Sequence, residues 1–329
     1  MERGTDAAQL FHAARAGDRV ALGRAITLIE STRAEDRLKA GELVELSQPH
    51  SGTALRLGIT GIPGVGKSTL IDALGRAAIH DGRRVAVLAT DPSSLRSHGS
   101  ILGDKTRMEL LSRSEQAFIR PTASAGHLGG VARRTRETAL LCAAAGFDLV
   151  LIETVGVGQS ELEVDDMADL NLLLMIPGAG DELQGIKRGI MESADVIVLT
   201  KAEGAGGADH THTRNGLKNA IAFLPARDSG RHPDVLLTDA LTGKGIHELW
   251  QHVLTLHEKD VASGYFEHRR QHQNVRWMHH AIREGLLERF LQAPTSAAAL
   301  ATMESEVRSG TRGPFDAANR ILELLRKDA

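Results

Sequence analysis

The sequence predicts an α/β fold, a mostly parallel sheet flanked by helices, with helical N- and C-terminal extensions. Two observations predict it. From Leu55 onward, short aliphatic runs alternate with helix-length amphipathic stretches. Runs that are apolar on both faces belong to parallel strands covered on both sides. Outside that region the apolar residues recur near a period of 3.6 instead.

The strand runs are Leu55–Thr60, Arg84–Thr90, Ala117–Arg120, Leu149–Glu153, Leu170–Ile176, Val196–Thr200 and Val235–Thr238. Before them, Leu10, Phe11, Ala14, Val20, Leu22, Ile26 and Ile29 mark helix, and a second pattern through Leu38, Leu43, Val44 and Leu46 stops at Pro49 and Gly52. After the helix near Gly245–Lys259, helical signals continue to Ala317, Ile321, Leu322 and Leu325. The expected organisation is an N-terminal helical extension over 1–53, a nucleotide-binding domain over 54–260 and a helical, dimer-forming region over 261–329. The terminal stripes are too apolar for tails; they pack on the α/β domain or pair two protomers.

Composition narrows the class. Aromatics are only 3% of the 329 residues, so aliphatic side chains fill the core. A net charge of −3 supplies no electrostatic argument for a nucleic-acid or membrane partner. The single cysteine, Cys142, excludes an internal disulfide, and its neighbours Leu140, Leu141 and Ala143 mark it as a core residue. The acidic start has no apolar stretch and no run of about 20 apolar residues occurs, so the expectation is a cytoplasmic protein without leader or membrane span.

Gly61-Ile62-Pro63-Gly64-Val65-Gly66-Lys67-Ser68 is a complete phosphate-binding loop between a strand and a helix beginning at Thr69. The glycines let successive backbone N–H groups converge on phosphate oxygens, and the helix N-terminus adds its positive end. Lys67 reaches the β- and γ-phosphates, and the Ser68 hydroxyl binds Mg²⁺. The fold is thereby a P-loop NTPase.

Mg²⁺ also needs a carboxylate at the end of a buried strand. Glu153 supplies one, and Gly156, three residues later, places a backbone N–H where a γ-phosphate is sensed. Asp91 ends another strand at the same sheet edge; it faces the phosphates or caps the turn before Pro92. Asp104, in a polar loop, is a further metal-side candidate or an N-cap.

Thr200-Lys201-Ala202-Glu203 resembles the guanine-reading [NT]-K-x-D motif, its acid one methylene longer. A carboxylate there accepts from the ring N1–H and exocyclic amine of guanine, a pattern adenine does not present. Thr238-Asp239-Ala240-Leu241 resembles the second base loop, whose backbone N–H contacts the guanine oxygen. The expected ligands are GTP and GDP with Mg²⁺. Gln159 or Asp91 orients the attacking water. Arg107, Arg133, Arg134 and Arg136 are arginine-finger candidates, or solvated helix charges.

Together Gly61–Thr69, Asp91–Ser94, Gly99–Met108, Glu153–Ser160 and Pro177–Gly189 resemble the MeaB/ArgK G proteins, the GTPases associated with methylmalonyl-CoA mutase. The resemblance implies a homodimeric GTPase acting as chaperone for an adenosylcobalamin-dependent mutase: it gates cofactor loading and protects the mutase. It places Ser68, Asp91, Asp104 and Glu153 around Mg²⁺, switch II at Gly156–Gln159, and a further switch at Asp181–Lys187. Glu203, where the family carries Asp, and Thr238-Asp239 depart from its pattern.

Two features carry no function in this reading. His210, His212, His268, His272, His279 and His280 lack a cysteine or carboxylate cluster and read as surface histidines. Glu161, Glu163, Asp165 and Asp166 read as the solvent-facing start of a helix. A metal-delivery GTPase and an ATP-dependent small-molecule kinase are the competing functions.

Overall fold

The computed structural model describes residues 6–31, 33–91, 108–123, 128–154, 164–177, 188–201, 210–292 and 294–327. It divides into two compact units, Met1–Gln271 and His272–Ala329.

The first unit opens with three helices, α1 (Ala7–Arg15), α2 (Arg19–Glu30) and α3 (Arg37–Ser47). Asp6 and Asp18 start the first two as N-caps; Asp18 accepts from the backbone N–H of Val20 and Ala21 at 2.8 and 3.0 Å. Seven strands follow: β1 (Leu55–Gly61), β2 (Val85–Asp91), β3 (Ala117–Ala123), β4 (Leu149–Glu153), β5 (Leu170–Met175), β6 (Val196–Leu199) and β7 (Asp234–Leu237). Their order is β3-β2-β4-β1-β5-β6-β7, and every pairing is parallel. The helices between them are α4 (Lys67–His80), the short α5 (Glu109–Ser112), α6 (Leu128–Ala144), α7 (Arg188–Glu192) and α8 (Thr211–Ile221), and α9 (Ile246–Ala262) follows β7. The chain continues through α10 (Tyr265–Gln292), α11 (Pro294–Arg308) and α12 (Pro314–Lys327).

Side-chain alternation explains why the strands read as apolar on both faces. Leu55, Leu57 and Ile59 join α4 and α9 in one core, where Trp250 is buried and donates its indole N–H to Asp81 at 2.7 Å. On the opposite face Ala86, Leu88, Val150 and Ile152 pack with α6 and with Phe11, Leu22, Ile26 and Leu43. The N-terminal helices therefore belong to the first unit's core. Cys142 lies in that core with its thiol pushed up to about 12 by burial, which leaves it inert as a nucleophile.

The amino ends of β1, β5 and β6 carry a buried charge cluster that sequence pattern did not predict. Arg270 of α10 grips Asp169 with Nε and a terminal nitrogen, each at 2.8 Å, and reaches the carbonyls of Gly52 and Ala54, each at 2.7 Å. Asp169 also accepts from the Arg56 backbone N–H at 2.7 Å. Burial opposes ionisation of Asp169, but Arg56 and Arg270 outweigh it and hold the carboxyl at about 2. Burial likewise pushes the Arg56 guanidinium down and the Asp195 carboxyl up. Asp165, expected on a solvent-facing helix start, instead pairs with Arg227 and Arg269 at 2.8 Å each. The cause is tertiary: two arginines distant in sequence converge on it, and helix patterning carries no trace of either.

The Asp169 shift gives stability its acid dependence. A folded pKa of about 2 against 3.8 unfolded contributes about 2 kcal/mol, complete above pH ~4 and lost as pH falls through ~2. Asp169→Asn leaves two buried guanidiniums short of a partner, so denaturant unfolding should show a loss of about 3–5 kcal/mol at pH 7. That deficit should shrink between pH 4 and pH 2; a constant deficit would remove Asp169 as its source.

Candidate functional site

Because all seven strands run the same way, their carboxyl ends open on one edge, where ligands of such sheets bind. β1 ends there in Gly61 and the chain curls into α4. Gly61 has φ +147°, and a Cβ on it would stand 2.7 Å from the Leu174 carbonyl oxygen, so both conformation and space demand glycine. Gly66, at φ +104°, is the N-cap of α4 and places no side chain over the first-turn N–H groups. Those donors and the helix dipole face the loop, which is the arrangement an anionic phosphate fits.

Lys67 is buried at the start of α4, and its ammonium donates to the carbonyls of Gly61 at 2.7 Å and Ile62 at 3.3 Å. The charge is thus held across the mouth of the loop. Val65 is buried in the main core and locks the loop's crest; its N–H closes a turn onto the Ile62 carbonyl at 3.3 Å. Pro63 and Gly64 are exposed, and Ser68 and Thr69 half-buried.

Glu153 arrives beside this loop through strand register. It pairs opposite Ile59, two residues before Gly61, and Ser68 Oγ donates to its Oε1 at 3.3 Å. A hydroxyl and a carboxylate oxygen side by side, next to a phosphate-binding loop, form a hard oxygen donor set that fits Mg²⁺. Thr154 follows, its N–H bonded to the Ile59 carbonyl at 3.1 Å and its buried hydroxyl oxygen without a hydrogen-bond partner among the described residues. The sequence reading assigned Thr154 no role; its signal is a polar residue directly after the strand-end carboxylate. Asp91 ends β2 at the same edge, and its side chain lies outside the described residues. Asp104, Gly156, Gln159, Glu203, Arg107 and Asp181–Lys187 also lie outside them.

The residues expected on the base side come from the ends of β6 and β7. Thr200 is buried and donates to the carbonyls of Val65 at 2.9 Å and Met175 at 3.3 Å, and Lys201 donates to the carbonyl of Gly64 at 3.1 Å. Two consecutive residues of the base motif are therefore stitched to the phosphate loop. Lys201 holds a left-handed φ of +57°, alone in this among the described non-glycine residues, and such strain collects at functional sites. On β7's loop, Asp239 Oδ1 accepts from the N–H groups of Leu241 and Thr242 at 3.0 and 3.1 Å, which shapes the turn carrying Ala240. The hydroxyl oxygen of Thr238 is buried without a hydrogen-bond partner among the described residues.

The arginine-finger candidates separate. Arg133 pairs with Glu137 on its own helix at 3.0 Å. Arg136 is buried; burial first, then the neighbouring Arg56, lower its pKa to about 10. Arg136 is therefore not a solvated helix charge, whereas Arg133, 40% exposed, sits on its helix surface as one. Among the described residues no group of three or more metal-ligating side chains of His, Cys, Asp and Glu exists, and no helix is long and apolar enough to cross a membrane.

Comparison with known proteins points the same way. The family model described as methylmalonyl-CoA mutase-associated GTPase MeaB matches residues 22–295. A putative GTPase of Caulobacter vibrioides is 50% identical over 317 residues, 96% of this chain and 97% of that one. GTPase ArgK of Escherichia coli is 46% identical over 273 residues, 83% of this chain and 82% of its own. The mitochondrial methylmalonic aciduria type A homolog of Mus musculus is 42% identical over 320 residues, covering 94% and 77%. A crystal structure of an LAO/AO transport system kinase superposes with a TM-score of 0.75 at 34% identity over 99% of each chain.

Removing the Lys67 ammonium (Lys67→Ala) should weaken GTP binding or turnover by about 10²-fold or more, read by nucleotide titration and phosphate release. Thr200→Val strands the Val65 carbonyl, and should raise the nucleotide Kd about tenfold and cost about 1–3 kcal/mol of stability. Unchanged affinity would separate Thr200 from the phosphate loop.

Proposed function

This chain belongs to the MeaB family of methylmalonyl-CoA mutase-associated GTPases, and from that premise we propose that it is a G-protein chaperone for an adenosylcobalamin-dependent methylmalonyl-CoA mutase. The chain is a GTPase, converting GTP to GDP and phosphate with Mg²⁺. In the proposed role, the hydrolytic cycle gates cofactor loading and protects the mutase from inactivation. The family match along most of the chain, together with the Ser68–Glu153 pair beside the phosphate loop, carries the reading.

The residues divide the work as follows. Backbone N–H groups of Gly61–Thr69 cradle the phosphates, and the Lys67 ammonium turns from its carbonyls to the β–γ bridge, where negative charge grows during transfer. Ser68 and Glu153, with Asp91 and Asp104, are the residues that would hold Mg²⁺, which when bound neutralises charge on the phosphate oxygens. Gly156 senses the γ-phosphate, and Gln159 or Asp91 orients the attacking water. Thr200, Lys201, Glu203, Thr238, Asp239 and Ala240 form the guanine side. Lys201 and Thr200 hold the loop and the base motif as one body, so base recognition and phosphate placement are set together.

The protein works as a cytoplasmic homodimer paired through residues 261–329. The support is an apolar stripe on α10 in the second unit: Val275, Met278, Ile282 and Leu286 are each at least half exposed at spacings of three and four residues. The same unit holds an apolar cavity of about 1170 Å³ that includes Leu286, Leu287, Phe290, Met303 and Leu322 in its lining. An apolar face of that kind is stable in water when a second surface covers it.

Two measurements test this reading. Adding purified cobalamin-dependent mutase should raise GTP turnover at least about tenfold, as expected when a partner completes charge and water positioning. No stimulation and no co-purification in either nucleotide state would end the chaperone claim and leave the GTPase standing. Ile282→Asp should convert a dimer to a monomer in light scattering at unchanged GTP affinity; a monomeric parent protein would sink the dimer.

A further inference from the structure

We propose that Asp165 and Arg269 form a relay tying the first two turns of α10 to the phosphate site, so that α10 responds to which nucleotide is bound. The inference rests on the nucleotide lying in the Gly61–Ser68 loop. Its path runs through described residues alone. Gly58 lies in β1, three residues before Gly61. A Cβ on Gly58 would stand 2.4 Å from Asn171 Oδ1, 2.9 Å from Val164 Cγ1 and 3.1 Å from Ala168 Cβ. The strand backbone thus meets the Val164–Asn171 stretch with no side chain between them, and close-packed contacts transmit displacement instead of absorbing it.

From Asn171 the path becomes a set of discrete polar contacts. Its Nδ2 donates to Asp165 Oδ1 at 2.8 Å. The same oxygen accepts from Arg227, in the loop before β7, and from Arg269, in α10, each at 2.8 Å. Arg269 also donates Nε to the Ala168 carbonyl at 3.2 Å. Three donors from three elements converge on one carboxylate oxygen. Burial opposes ionisation of Asp165, and Arg269 followed by Arg227 outweighs it and holds the carboxyl below its usual range. Charge-assisted bonds of this kind are strong and sensitive to geometry.

The adjacent arginine supplies the contrast that makes a relay and not a rigid weld. Arg270 is fixed to Asp169, whose side chain is only 2% exposed, and to carbonyls of the chain entering β1. Asp165 keeps 30% exposure against 2% for Asp169, so water reaches the Asp165 carboxylate oxygen beside the buried Arg269. Arg270 is the pivot and Arg269 the contact able to open. A coupling device needs such an element with two arrangements, biased from one end.

Hydrogen exchange on the full chain tests the relay. Kd values for Mg·GDP and for a Mg·non-hydrolysable GTP analogue are measured first; failure to bind refutes the nucleotide site itself. With binding in hand, amides within Tyr265–Gln271 should exchange about tenfold differently between the two nucleotides, the scale of one charge-assisted bond. Asp165→Asn should reduce that difference to within about twofold at unchanged Kd, with Arg269→Lys intermediate. Equal exchange in the parent protein, or a full-sized difference surviving in Asp165→Asn, overturns the proposal. Should Asp165→Asn not fold, Arg269→Lys decides: a full-sized difference there overturns it equally.

Discussion

Parallel pairing of β1 with β4, in the register that sets Ile59 opposite Glu153, is the constraint from which the site follows. It brings a strand-end carboxylate level with the turn where β1 becomes the phosphate loop, so that Ser68 and Glu153 meet although 85 residues separate them. A slip of one residue would turn Glu153 to the opposite face, toward α6, and leave Ser68 facing an apolar strand end. Register is held in turn by the buried aliphatic faces on both sides of the sheet, since displacing either strand would expose Leu57, Ile59, Val150 and Ile152 together. The chemistry is thus secured by the hydrophobic core beneath it.

Around that pair the molecule ties its parts by polar contacts at both ends of the sheet. At the carboxyl end, Thr200 and Lys201 fasten the base motif to the carbonyls of Val65 and Gly64. At the amino end, Arg269 and Arg270 fasten α10 to the stretch before β5. The two sets differ in kind. The first uses neutral or exposed donors on backbone carbonyls, suited to holding a loop that closes over ligand. The second uses charge: desolvated and costly to disrupt where Arg270 meets Asp169, and more open to water where Arg269 meets Asp165.

Much of this was legible beforehand. The phosphate loop announces itself because its glycines, lysine and hydroxyl are contiguous, and its strand and helix flanks are local as well. The strand runs match the observed strands to within a few residues because strands buried on both faces leave an unbroken aliphatic record. The buried charge cluster was not legible. Asp165 looks like part of an ordinary acidic helix start, since its partners Arg227 and Arg269 lie 62 and 104 residues away. Arg136 has a helical pattern shared by exposed arginines, and only its packing shows it to be buried. The Lys67, Thr200 and Lys201 contacts onto loop carbonyls are equally silent, because carbonyl acceptors are the same at every residue.

What the sequence determined by itself is what contiguous residues can encode: an α/β class, the location of the phosphate loop, the identity of its cation and hydroxyl, and the family resemblance that rests on those motifs. The tertiary structure decided which distant groups share an environment. It set Ser68 against Glu153, sealed Asp169 between Arg56 and Arg270, and drew the N-terminal helices into the sheet's core. The division has one physical cause. Backbone curvature and hydrophobic period are properties of neighbouring residues, whereas desolvation and charge pairing depend on what the fold brings within a few ångströms.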